Sequence, residues 1–98
     1  MTSTVLDIQK LDQAASKLRA ISHPMRIAII NLLENDAKLN VTQIYEHLGI
    51  EQAAASHHLN ILKSKGVLES RRSGKNTFYT LKHASLLQII KCIDKCNE

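Results

Sequence analysis

The sequence predicts a mainly α-helical fold with one small β-hairpin, about five helices in all. Three observations carry that prediction. Apolar residues recur at three- and four-residue spacings along most of the chain, the period of an amphipathic helix. Gly49 and Gly66 bracket a segment rich in good helix formers, so that two helices meet across a tight turn. Directly after Gly66, the runs 67–72 and 77–81 flank Ser73-Gly74-Lys75-Asn76, the pattern of a two-stranded hairpin.

The elements follow in order. Val5, Leu6, Leu11, Ala14, Ala15, Leu18 and Ile21 give an amphipathic first helix over 5–21. Ser22-His23-Pro24 reads as a helix start with proline in the first turn, and Met25, Ile27, Ile30 and Leu33 carry a second helix to Asn35-Asp36. Asn40 followed by Gln43 has the spacing of a capping box, which opens a short third helix over 41–48. Gly49 stands where a left-handed, helix-ending residue is wanted. The fourth helix starts at Gln52 and ends at Gly66; with the third it makes a helix-turn-helix over about 41–65. Its residues Ala55, Leu59 and Leu62 form an inward stripe, for which Ile44, Leu48 and Ile50 are the expected partners. Its other side carries Gln52, Ser56, Asn60 and Lys63, flanked by Ala53 and His57. A hairpin over 67–81 with Arg71, Arg72 and Lys75 at its tip then makes a wing, and Leu86, Leu87, Ile89, Ile90 and Ile93 lie on a last helix from about His83. The whole is a winged helix-turn-helix.

Composition bounds what such a chain does. Its 98 residues, 44% of them hydrophobic, suit one domain over 1–98 rather than a disordered segment. A core of this size gains from a second subunit. No apolar run reaches the roughly 18 residues of a membrane span, and the N-terminus lacks the order of a signal peptide, so a cytoplasmic protein is expected. The net charge of +4 is concentrated: residues 51–82 hold six basic against two acidic side chains. A localised basic surface suits a polyanion, because Lys and Arg neutralise phosphates and release counterions, although a merely solvated face has the same composition.

The polar face of the fourth helix narrows the choice. Small, hydrogen-bonding side chains let a helix approach base edges closely, and a basic hairpin beside it reaches phosphates or the minor groove. The expected DNA-binding residues are Gln52, Ala53, Ser56, His57, Asn60, Lys63, Arg71, Arg72 and Lys75. His58, three residues after the core position Ala55, is expected to hydrogen-bond within the fold. His23 and His47 are expected on the surface or as caps. No Ser/His/Asp arrangement, phosphate loop, paired carboxylates or cofactor fingerprint points to catalysis, and no cofactor is expected. Cys92 and Cys96 are too few for a disulfide framework and are expected as thiols. Their i, i+4 spacing places both on one helix face, where they either share a soft metal or fill a dimer seam.

The segment Ser22-His23-Pro24-Met25-Arg26-Ile27 and the stretch 48–59 with Gln52, Ser56, His58 and Leu59 resemble the ArsR/SmtB family of winged-helix repressors. Arg72-Ser73-Gly74-Lys75 and Phe78-Tyr79-Thr80-Leu81 resemble the two sides of that family's wing, and the likeness covers nearly the whole chain. It implies a homodimeric repressor, joined by helices at about 5–21 and 83–96, that binds an inverted-repeat DNA operator. Three departures stand out. Glu51 occupies a place where many relatives carry Ser, a better cap whose replacement also puts negative charge on the DNA side. Asn40 and Thr42 replace the Cys-x-Cys pair of arsenite sensors. Of the final-helix zinc site only fragments remain, with His83 and Ser85 at the early pair and Cys96 at the first late position. Hence no metal site is expected, and His83, Cys92 and Cys96 are the candidate sensing residues for an inducer that the sequence does not identify. The alternatives are a thiol-based redox or soft-metal sensor using Cys92 and Cys96, and a winged helix used only for protein assembly.

Overall fold

Four helices and three strands make up the computed structural model, which describes residues 7–35 and 38–83 together with Gln88, Lys91, Cys92, Lys95 and Cys96. They run α1 (Ile8–Ile21), α2 (Pro24–Asn35), β1 (Leu39–Asn40), α3 (Val41–Leu48), α4 (Gln52–Ser64), β2 (Leu68–Ser73) and β3 (Asn76–Leu81). The helix α1 starts at Ile8 and not near residue 5, because the Asp7 carboxylate accepts the N–H groups of Gln9 and Lys10 at 3.1 and 3.2 Å and so caps it. Val5 and Leu6 lie outside the described residues. Pro24 opens α2, and Nδ1 of His23 accepts the Met25 N–H at 3.1 Å, so His23 serves as a cap.

The expected capping box is present. Asn40 Oδ1 accepts the Gln43 N–H at 2.8 Å, and Gln43 Oε1 accepts the Asn40 N–H at 2.9 Å. Asn40→Ala should cost about 1 kcal/mol of folding stability, and Asn40→Asp much less, as read from urea unfolding at fixed protein concentration. At the other end of α3, Gly49 adopts φ 65° and ψ 33°, a left-handed cap that a side chain would strain. Three residues on, α4 begins, so the two helices meet across a short turn.

The wing differs from expectation by one strand. Besides the β2–β3 hairpin, β1 pairs antiparallel with β3, matching Leu39 to Tyr79 and Asn40 to Phe78 in a three-stranded sheet of order β1-β3-β2. Two residues show no period-two pattern, which is why β1 is silent in the sequence. Gly74, at φ 63°, supplies the positive angle that a two-residue hairpin turn requires between Ser73 and Asn76.

Four helices have both ends among the described residues, against about five expected. Leu86, Leu87, Ile89, Ile90 and Ile93 of the expected last helix lie outside those residues. Gln88, Lys91, Cys92, Lys95 and Cys96 are helical where described. Lys91 Nζ lies 2.6 Å from Glu34 Oε1 at the end of α2.

The core lies where α2, α3, α4 and the sheet meet. Ile29, Ile30, Ile44, Leu59 and Leu62 are fully enclosed, and Leu33, Val67 and Leu68 join them. Of the partners expected for the α4 stripe, Ile44 is buried and Leu48 packs at the edge, whereas Ile50 stays half-buried outside the cluster. In the single subunit α1 buries only Ala20 and Ile21. Ile8, Leu11 and Leu18 are 64%, 47% and 46% exposed and share one side of α1 by helical spacing. Among the described residues no helix is long and apolar enough to cross a membrane.

Candidate nucleic-acid interface

Burial fixes the rotation of α4. With Ala55, Leu59 and Leu62 turned into the core, a step of about 100° per residue puts Ala53, His57 and Asn60 directly opposite, all three exposed. Gln52, Ser56 and Lys63 form one flank of that outer face, in contrast to the central place that composition suggests for them. Gln52 and Lys63 are exposed, whereas Ser56 is half-buried. The other flank carries Ala54, His58 and Ile61, each half-buried.

The residue before α4 leaves its first turn open. Glu51 is its N-cap and makes no side-chain capping bond, so the first-turn N–H groups lack an intrachain acceptor from that residue. Glu51→Ser should raise stability by up to about 1 kcal/mol in a urea titration, because a short hydroxyl can accept a first-turn N–H; losing the carboxylate's favourable place at the helix N-terminus offsets part of that gain.

The pleat of the hairpin separates two of the basic tip residues. Arg72 pairs with Thr77 and stands on the same face as Ser70 and the buried Tyr79. Arg71 pairs with Phe78 and stands on the opposite face beside Glu69. There Lys38 Nζ sits 4.6 Å from the centroid of the Phe78 ring, a cation–π contact that sequence spacing could not signal across 40 residues. Lys38, Glu69, Arg71 and Phe78 line a shallow groove of about 360 Å³. Lys75 lies in the exposed turn itself. The tip therefore presents cations on both faces and at its apex.

Behind the outer face, His58 hydrogen-bonds within the fold as expected, and its partner is Arg26. The Arg26 Nε–H donates to His58 Nδ1 at 3.1 Å, and its Nη1 donates to the carbonyl of Ala20 at 3.1 Å. The rings of His23 and His58 lie 4.6 Å apart between centroids, and those of His57 and His58 lie 5.7 Å apart. Burial, then the neighbouring His23, Arg26 and His57, hold the His58 pKa below the usual imidazole value. Arg26 was legible only as part of a motif; nothing in the sequence tied it to a residue 32 positions away.

The candidate sensing residues are less gathered. His83 follows the wing in irregular, exposed chain, and Cys92 and Cys96 are exposed free thiols. Among the described residues no group of three or more His, Cys, Asp or Glu is placed to hold a metal ion. His47 is exposed in the last turn of α3.

Residues 23–70 match the model of the family described as "Bacterial regulatory protein, arsR family". An uncharacterized HTH-type transcriptional regulator of Methanocaldococcus jannaschii is 34% identical over 88 residues, covering 90% of this chain and 99% of that protein. The transcriptional repressor PagR of Bacillus anthracis is 34% identical over 89 residues, 91% of this chain and 89% of its own. Its crystal structure superposes with a TM-score of 0.80 over 89% of this chain and 99% of that chain. The solution structure of a homodimeric winged helix-turn-helix DNA-binding domain from Mycobacterium bovis, described as a possible ArsR-family regulator, gives a TM-score of 0.81 at 26% identity. It covers 98% of this chain and 90% of that one.

Proposed function

This chain belongs to the arsR family of bacterial regulatory proteins, and from that premise we propose that it represses transcription by occupying an inverted-repeat operator as a homodimer. The observation that carries the proposal is the juxtaposition of an exposed polar α4 face with a hairpin whose tip holds Arg71, Arg72 and Lys75. On this reading α4 lies in the major groove. His57, Asn60 and the small Ala53 face the bases, with Gln52 and Ser56 reading from the flank. Lys63 and the wing cations hold phosphates, which sets register without carrying sequence information. A single domain over 1–98 acting in the cytoplasm suffices for this task, since a bound dimer blocks polymerase access without a further activity.

The dimer rests on α1. A helix that buries two residues and leaves Ile8, Leu11 and Leu18 exposed along one side is an incomplete packing unit. A second copy covers it in the proposed assembly, and the homodimeric state of the M. bovis domain supports that choice. Assembly without DNA, the other reading, gives no reason for the basic wing tip.

Selection of duplexes from a randomised pool, followed by footprinting, tests the function. The expected product is two inverted half-sites with centres about 34 Å apart on the DNA. Recovery of no preferred duplex would end the operator reading. Leu11→Glu should convert the dimer to a monomer by sedimentation and weaken duplex binding at least tenfold, because one half-site then binds alone. A dimer unchanged by this substitution would move the seam away from α1.

A further inference from the structure

We propose that Arg26 and His58 are positioning residues for α4: Arg26, bonded at once to the Ala20 carbonyl and to His58 Nδ1, sets the rotation at which α4 meets DNA, and does so only while His58 Nδ1 is unprotonated. The inference rests on the operator-binding reading and adds to it a device that orients the reading helix.

Burial of Ala55, Leu59 and Leu62 sets which face of α4 turns into the core. The apolar contacts carry no directional bond, so the exact angle at which the outer face stands is left to polar contacts on its flanks. Among the described residues the Arg26–His58 bond is the one hydrogen bond between side chains that reaches α4, and it is directional. Arg26 is well placed to anchor it. Its other nitrogen bonds a carbonyl in the last turn of α1, one of the groups that a helix end leaves without an intrahelical donor. The guanidinium thus spans three helices, tying the end of α1 through the start of α2 to the flank of α4. His57, on the outer face, directly follows Ser56 and precedes His58, so a turn of the His58 flank moves the outer face with it.

The bond fixes the state of the ring. An imidazole nitrogen that accepts from Arg26 carries no proton, which places the proton of neutral His58 on Nε2. A second proton would have to enter at Nδ1. Two donors and two positive charges would then face each other 3.1 Å apart, and the bond would be lost. The groups facing His58 are His23 from the α1–α2 connection, Arg26 from α2 and His57 from α4 itself, none of which offers a negative charge. Their combined effect with burial is to hold the neutral form to lower pH than a free imidazole.

The sign follows from linkage. Unfolded, His58 takes its proton near its ordinary value of 6.5; folded, it takes it lower. The stabilising contribution is therefore complete above pH 6.5 and is lost as pH falls from there through the folded pKa. Orientation of α4 is lost over the lower part of the same range. Acid also adds charge at other histidines near DNA, which strengthens binding, so wild-type affinity alone mixes two opposing trends.

A substitution that keeps the acceptor and removes the titration separates them. His58→Asn places an amide oxygen close to the position of Nδ1 and has no proton to gain. The probe is the duplex that the wild-type protein selects from the randomised pool, with affinities measured from pH 7.5 to about pH 5 at constant salt and with folding checked by circular dichroism. The two proteins should bind within about threefold of each other at pH 7.5. By pH 5 the wild type should be about tenfold weaker than His58→Asn. A pH-independent ratio overturns the inference while leaving the operator reading intact.

Arg26→Ala provides the second arm. It should weaken binding about tenfold at pH 7.5, as should His58→Ala, which removes the acceptor, and the double variant should be no weaker than either single one, which is the signature of two residues acting as one unit. Additive losses would overturn the pairing. Nitrogen-15 shifts of the His58 ring read the bond without DNA: Nδ1 should be unprotonated at pH 7.5, and amide shifts of α1 and α4 should move together as it titrates. Titration without those shifts would also overturn the inference. Selection of no duplex by the wild type would remove the operator reading and this inference with it.

Discussion

Alanine at Arg71, Arg72 and Lys75 together should weaken duplex binding by on the order of a hundredfold at about 0.15 M salt, and should lower the slope of log affinity against log salt by about 2.7. Each cation that neutralises a phosphate releases close to one counterion, so three lost contacts show as a change of slope as well as of affinity. All three side chains are exposed and the hairpin pairing does not depend on them, which keeps the fold out of the result. The single substitutions are informative because Arg71 and Arg72 point to opposite faces of the ribbon. If only one face of the wing meets DNA, one arginine changes the slope by about 0.9 and the other leaves it unchanged. An unaltered slope in the triple variant would take the wing out of the interface.

Leu59→Ala should lose about 2–5 kcal/mol of folding stability, the usual cost of a cavity at a fully enclosed leucine. A domain of this size commonly has about 5–15 kcal/mol in total, so the variant is expected to lose much of its margin. The readout is urea unfolding at fixed protein concentration, since assembly with a second copy contributes to the apparent stability. Asn60→Ala, next along the helix and exposed, serves as the contrast: it should leave unfolding within about 0.5 kcal/mol of wild type while altering which duplexes are preferred. A small loss at Leu59 would mean that α4 is held mainly by polar ties and not by its apolar stripe.

The legibility of this fold varies with the physical signal each element carries. The helix-turn-helix is plain from sequence because its signals are local: a capping pair three residues apart at Asn40 and Gln43, a glycine at the left-handed cap, and an apolar stripe at 55, 59 and 62. The strand β1 was hidden because its existence depends on β3, almost 40 residues later, and not on its own two side chains. Composition marks Gln52, Ser56 and Asn60 as polar, but only burial shows that the helix turns Ala53, His57 and Asn60 outward and leaves Ser56 half-covered. The split of Arg71 from Arg72 is a matter of strand register, which the hairpin turn fixes and composition does not. His58 is recognisable as an internal hydrogen-bonding residue from its place on the helix, whereas Arg26 becomes its donor only through a tertiary contact across 32 positions.

Asn40 belongs to two elements at once. Its backbone pairs with Phe78 in the wing sheet, and its side chain closes the first turn of α3. The wing and the helix-turn-helix thus share a rivet, so that bending one relative to the other would break a strand pair and a helix cap together. Such a body behaves as a calliper with fixed jaws: on the proposed reading, the distance between the bases that α4 would read and the phosphates that the hairpin would grip is set by the protein. One base pair inserted inside a proposed half-site should therefore weaken binding far more than one substituted there.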